Sequence, residues 1–167
     1  MTAPLLAQEY RDHAHGRRTG VVRLTYEDRF LRRKVLLLEA GGSLLVDLPQ
    51  TTSLEHGGVL VLSEGGEIEV VAAPEPLLEV KGAALHRLAW HIGNRHTPCQ
   101  IETDRLLIQR DHVLQHMLAG LGAVMREIQA PFTPEGGAYG HGRTHGHDHT
   151  AQHGPAQSHH HGAAHEH

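Results

Sequence analysis

The chain has 167 residues and a formal net charge of -4 with histidine neutral; 18 of its residues are histidine, and ten of these fall between His141 and His167. Residues 1–140 suffice for one ordinary domain or two small ones, whereas residues 141–167 contribute only alanines to the apolar content and cannot bury enough area to offset the entropy of ordering. A single cysteine, Cys99, excludes an intrachain disulfide and a thiolate-rich zinc or copper(I) site, and the longest apolar run, Val35 to Leu38, is too short to span a bilayer. With no signal-peptide pattern at the N-terminus, a soluble, cytoplasmic protein with no membrane association is expected.

The first 34 residues carry eight Lys/Arg against four acids, densest at Arg29, Arg32, Arg33 and Lys34. The total charge is negative and neither stacking aromatics nor a nucleic-acid motif accompanies the run, so it reads as a solvated strand face, with no nucleic-acid partner. Turn signals then recur at Gly41-Gly42, Pro49, Gly57-Gly58 and Gly65-Gly66 and separate short runs at Val35–Leu38, Leu44–Leu48 and Val59–Leu62. After them Ile68 and Val70 alternate with Glu67 and Glu69, which predicts a strand with one wet face. Pro74 and Pro76 interrupt the pattern as at a linker, and the boundary of an all-β domain, 1–73, is placed there.

Beyond it, Leu77–Lys81 reads as a strand, and Leu85, Leu88, Ala89 and Ile92 take helical spacing, with Gly93-Asn94 suited to a left-handed C-cap just before His96. Strands at Cys99–Glu102 and Leu106–Gln109 follow, then Asp111 as N-cap of a helix carrying Val113, Leu114, Met117, Leu118 and Leu121, and a last strand at Val124–Ile128. The order β-α-β-β-α-β is that of a ferredoxin-like domain, 74–140. The chain is thus expected to be α+β: an all-β domain, a ferredoxin-like domain and a disordered histidine-rich tail, 141–167.

The tail presents His141, His145, His147, His149 and His153 and five further histidines toward the terminus, among glycines and with Asp148 and Glu166. Imidazole and carboxylate suit nickel, zinc and copper(II). An expression tag is usually uninterrupted, and a merely solvating tail does not explain the choice of histidine, so metal binding at several weak, exchangeable sites is the favoured reading. His96 follows the first helix. Alone it reads as a surface loop histidine; paired with its copy across a two-fold axis it becomes half of a bridging site. His112 and His116, four apart, share a helix face, but Val113 stands where a metalloprotease would need its glutamate, and a solvated face is the competing reading. His91 is read as an interface histidine and Cys99 as a small buried hydrophobe. His13, His15, His56 and His86 are indistinguishable from ordinary surface histidines. No catalytic triad, phosphate-cradling loop or carboxylate pair stands out, so no enzyme is expected.

The run His91-Ile-Gly-Asn-Arg-His96, the segment Asp111-His112-Val-Leu with Met117-Leu118, and Gly136-Gly137-Ala138-Tyr139-Gly140 before the tail together resemble the urease accessory protein family UreE. Glu27-Asp28-Arg29, Leu48-Pro49 and Ala72-Ala73-Pro74-Glu75 extend the resemblance into the first half, so that it covers about residues 20–150. It implies a nickel metallochaperone with a first domain similar to the peptide-binding domain of some chaperones. It also implies dimerisation through the second domain, Ni²⁺ held at the dimer interface by His96 from both protomers, and a peripheral metal contact at His112. Zn²⁺ or Cu²⁺ is expected to bind in vitro. The partners it implies are the accessory GTPase of urease maturation and the urease apoprotein. Arg110 stands where some relatives place a further histidine, and Gln50 and Gly58 replace the basic and acidic residues usual beside Pro49 and Gly57. A histidine-rich nickel or zinc storage or detoxification protein is the rival function.

Overall fold

The computed structural model describes residues 3–138; the tail histidines, His141, His145, His147, His149 and His153 among them, lie outside that range. Strands β1 (Leu5–Arg11), β2 (Arg18–Leu24), β3 (Phe30–Leu37), β4 (Ser43–Ser53), β5 (Val59–Leu62) and β6 (Glu67–Ala72) form a six-stranded sheet in the order β2-β6-β5-β1-β4-β3. Two of its pairings, β1 with β4 and β2 with β6, are parallel. Period-2 alternation turns Val22 and Leu24, Leu44, Val46 and Leu48, Leu60, and Ile68 and Val70 into one buried cluster. Gly65 and Gly66, both left-handed, close the β5–β6 hairpin, and a Cβ on Gly66 would lie 2.6 Å from the Thr19 methyl.

Several details depart from the sequence expectation. Periodicity did not reveal β1 and β2: Ala7 is the one buried residue of β1, and in β2 the alternation is confined to Val22, Arg23 and Leu24. Pro49 does not end a strand: β4 runs through it, and the register with β3 shifts between Leu31 and Arg33, an irregularity of the kind in which a residue without an N–H is tolerated. Glu67 does not face water. It is 2% exposed, and its carboxylate accepts the backbone N–H groups of His15 (3.1 Å) and Gly16 (2.9 Å). Arg29 is no part of a solvated face either. At 2% exposure its guanidinium donates to the carbonyls of Leu54 (3.1 Å), Leu24 (3.2 Å) and Phe132 (2.5 Å). A buried cation needs such partners, and carbonyls from three separate segments supply them.

The second sheet is built from β7 (Pro74–Lys81), β8 (Gln100–Ile101), β9 (Leu106–Gln109) and β10 (Val124–Pro131), in the order β10-β7-β9-β8 and antiparallel throughout. Helices α1 (Leu85–Asn94) and α2 (His112–Gly120) complete the β-α-β-β-α-β order. Their buried residues, Leu88, Ile92, Leu114 and Leu118, join Leu78, Val80, Leu106 and Ile108 of the sheet in a second core. Pro74 and Pro76 are not a linker but the opening residues of β7. They pair with β10 alone, because β9 joins only from Leu77 onward, and a single-neighbour stretch tolerates missing donors. Asp111 caps α2 as expected, its Oδ1 accepting from Leu114 N at 2.9 Å. The last strand is longer than expected and ends at Pro131.

A third apolar cluster joins the two sheets. Tyr26 of the first half meets Leu77, Leu107 and Phe132 of the second; the Tyr26 and Phe132 rings stand edge to face with centroids 5.2 Å apart, and Tyr26 N donates to the Glu75 carboxylate at 2.8 Å. Fully burying a phenylalanine contributes about 2–3 kcal/mol, so Phe132 is a substantial part of this junction.

Candidate metal centre

Helix α1 is ended by a left-handed residue, and that residue is His96 (φ 56°), not Gly93 or Asn94 as the local sequence suggested. Gly93 and Asn94 remain helical and Arg95 is the C-cap. His96 N then donates to Gly93 O (2.9 Å) and Thr97 N to Ile92 O (3.4 Å), the paired bonds of a Schellman turn with histidine where glycine is usual. The left-handed conformation costs a residue with a Cβ about 1–2 kcal/mol. His96 is thereby held exposed on a short turn between α1 and the buried Cys99, instead of at the end of a loose loop.

The other described candidates lie on helices. His112 and His116 are both exposed on α2, one turn apart. Among the described residues no group of three or more His, Cys, Asp or Glu side chains is placed to share an ion. His91 is half-buried, with its ring edge-on to Trp90 at 5.0 Å. It lines a cavity of about 180 Å³ with Arg87, Leu88 and Leu121. Trp90 beside it is 63% exposed and Leu121 42%. Cys99 is buried as expected; burial, with the Glu135 carboxylate second, pushes its thiol up to about 11, so the thiolate that soft metals need is scarce at neutral pH. Arg110 reaches across two strands, donating to Leu77 O (3.3 Å) and Ile128 O (3.2 Å), so this side chain serves the fold.

The path of the chain toward the tail was not legible in the sequence. Strand β10 lies at one edge of its sheet and β8 at the other, three strand spacings or about 14 Å away. From Pro131 the chain crosses to β8. Phe132 is pinned by Arg29, Thr133 N donates to Gln100 Oε1 at 2.8 Å, and Glu135 N donates to Cys99 O at 2.9 Å. Residues 132–135 thus form a strap that sets the start of the C-terminal segment three residues from His96. The sequence reading also passed over His13 and His15, whose rings stand 5.6 Å apart, centroid to centroid.

Comparison with known proteins bears on the whole chain. Residues 4–73 match the model of the UreE urease accessory protein N-terminal domain, and residues 75–167 that of its C-terminal domain. The chain belongs to the UreE urease accessory protein family. It is 67% identical over 148 residues to the urease accessory protein UreE of Ruegeria sp. (strain TM1040), covering 87% of this chain and 84% of that protein. To the protein of the same name from Ruegeria pomeroyi it is 66% identical over 77% of this chain and 86% of the relative, and to that from Cereibacter sphaeroides 60% over 80% and 73%. No described helix is long and apolar enough to cross a membrane.

Proposed function

We propose that this UreE-family protein is a cytoplasmic, non-enzymatic nickel metallochaperone that collects Ni²⁺ and delivers it for assembly of the urease active site. Membership of a urease accessory family supports a part in urease maturation. In this reading residues 1–73, 74–140 and 141–167 act as a partner-facing β domain, a metal-binding and dimerising domain, and a metal-collecting tail. Two copies pair through the second domain. His96 from each protomer bridges one ion, His112 gives a peripheral contact, and His141, His145, His147, His149 and His153 load and unload it. The exposed Trp90 and Leu121 beside the cavity at His91 give the second copy an apolar face to cover. The accessory GTPase and the urease apoprotein are the receiving partners.

The observation that carries this reading is the strap. His96 lies three residues from Cys99, a span of at most about 11 Å, and His141 lies six residues beyond Glu135, a reach of at most about 21 Å. Because Glu135 is bonded to Cys99, chain length alone allows His141 to approach His96 in the same chain. Tethered ligands behave as if present at millimolar concentration, so exchange between tail and bridge needs no second protein. Imidazole must be neutral to hold a metal, so the ion is released as the histidines protonate.

Nickel titration with mass determination tests this on the full chain, the chain ending at Gly140, and His96→Ala in both. The truncated chain should keep one tighter nickel ion per dimer and lose it on His96→Ala. Loss of nearly all binding on truncation, with His96→Ala silent, would leave a storage protein whose function is its tail.

A further inference from the structure

The turn between β1 and β2 carries Asp12-His13-Ala14-His15-Gly16, and both histidines are exposed. Their rings stand 5.6 Å apart between centroids, inclined at 61°. With ion–nitrogen bonds of about 2.0–2.1 Å, two imidazoles on one ion hold their centroids about 4.5 Å apart at right angles, as on octahedral or square-planar ions, and about 5 Å apart on a tetrahedral one. The observed spacing is therefore within a small side-chain adjustment of chelation. The backbone beneath is fixed. The buried Glu67 carboxylate accepts from His15 N through both oxygens (3.1 and 3.2 Å) and from Gly16 N (2.9 Å). A Cβ on Gly16 would lie 3.3 Å from Glu67 Oε1, so the carboxylate is packed closely against the turn. Much of the ordering that chelation by a loose segment requires is already met here by the fold.

We propose that His13 and His15 form a two-imidazole site for a borderline divalent transition-metal ion such as Ni²⁺, Cu²⁺ or Zn²⁺, with water completing the shell. It belongs to the first sheet and is separate in sequence and fold from His96. Imidazole nitrogen suits these ions and leaves Mg²⁺ and Ca²⁺, which take oxygen ligands, unbound. Two ligands with solvent in the remaining positions make a weak, quickly exchanging site, suited to capture and not to storage.

The test uses the uniformly ¹⁵N-labelled full chain titrated with Ni²⁺ beyond saturation of the tail. The amides of Ala14 and Gly16 should broaden together, at free Ni²⁺ at least about tenfold lower than in His13→Ala or His15→Ala, because the second ligand binds within the first complex. His96→Ala should leave that midpoint in place, so the result is independent of the bridging site. Equal midpoints in the wild type and either single variant, or no broadening at millimolar free Ni²⁺, would overturn the proposal.

Discussion

The two halves differ in where they keep the polar side chains that matter most to each. The first buries ionic groups and surrounds them: Arg29 with three carbonyls, Glu67 with the N–H groups of a turn. The second leaves the imidazoles of His96, His112 and His116 outside, on the end of one helix and along another. A charge taken out of water and fully bonded is committed to holding the fold, whereas an exposed side chain is not. The buried ionic groups are committed to the fold, whereas the exposed histidines carry no such structural duty in the bonds described above.

The largest expected effect breaks the buried side of that comparison. Arg29→Met removes the guanidinium while keeping much of the volume, and takes a donor from the carbonyls of Leu24, Leu54 and Phe132, of which Leu24 O keeps its bond from Ala73 N (2.8 Å). Hydrogen bonds from a charged group are worth about 1.5–3 kcal/mol each and are not additive, so a loss of about 3 kcal/mol or more in urea unfolding is expected. The strap loses its first anchor in the same variant. Tail-assisted nickel binding should therefore weaken alongside stability, and a loss below 1 kcal/mol would show that Arg29 is not the strut its contacts describe.

What could be read in the sequence follows from how local each signal is. The alternation of Ile68 and Val70, the helical spacing from Leu85 to Ile92 and the Asp111 cap each lie within a few residues, and each appears in the structure. Arg29 sits in a basic run and has the composition of a wet face. Its partner Phe132 is 103 positions away, and no pattern within the run announces that contact. Glu67 misled for the same reason, since its turn partners are 51 and 52 positions distant. The place of His96 just after the first helix was legible. Its left-handed backbone was not, because Gly93 and Asn94 are the stronger local candidates. The strap was invisible, since it depends on β8 and β10 taking opposite edges of one sheet.

A smaller effect sharpens the comparison from within the second half, where two carboxylates of β7, Glu75 and Glu79, are buried as well. Glu79 bonds to Arg105 at 2.9 Å and pairs with Arg126 at 3.2 Å. Arg105 above all, with Arg126 and Lys81 behind it, holds the carboxyl below its ordinary value near 4.5 against the opposing pull of burial. A carboxyl lowered by folding contributes stability above its unfolded pKa and loses it as pH falls through the folded one. Glu79→Gln should lower stability at neutral pH, and its deficit should shrink as pH falls from about 5 toward 3. A deficit that stays constant over that range, measured by urea unfolding at each pH, would mean the ion pairs do not couple to folding.

The smallest effect reverses sign and tests the exposed side. His96 occupies a left-handed turn position that costs about 1–2 kcal/mol, and glycine would relieve it while adding about 0.4–1 kcal/mol of chain entropy to the unfolded state. His96→Gly should therefore gain about 0.5–1 kcal/mol, whereas His96→Ala, which keeps a Cβ, should gain nothing. Under the proposed function both should also lose the nickel ion assigned to His96. The measurement belongs in chelator, because any ion bound only to the folded dimer would add its own stabilisation to the wild type and mask the gain. A protein that keeps a strained histidine where glycine would fold better is holding that imidazole at a fixed angle. If His96→Gly proved no more stable than His96→Ala, the turn would be relaxed and the angle of the ring would owe nothing to the helix end.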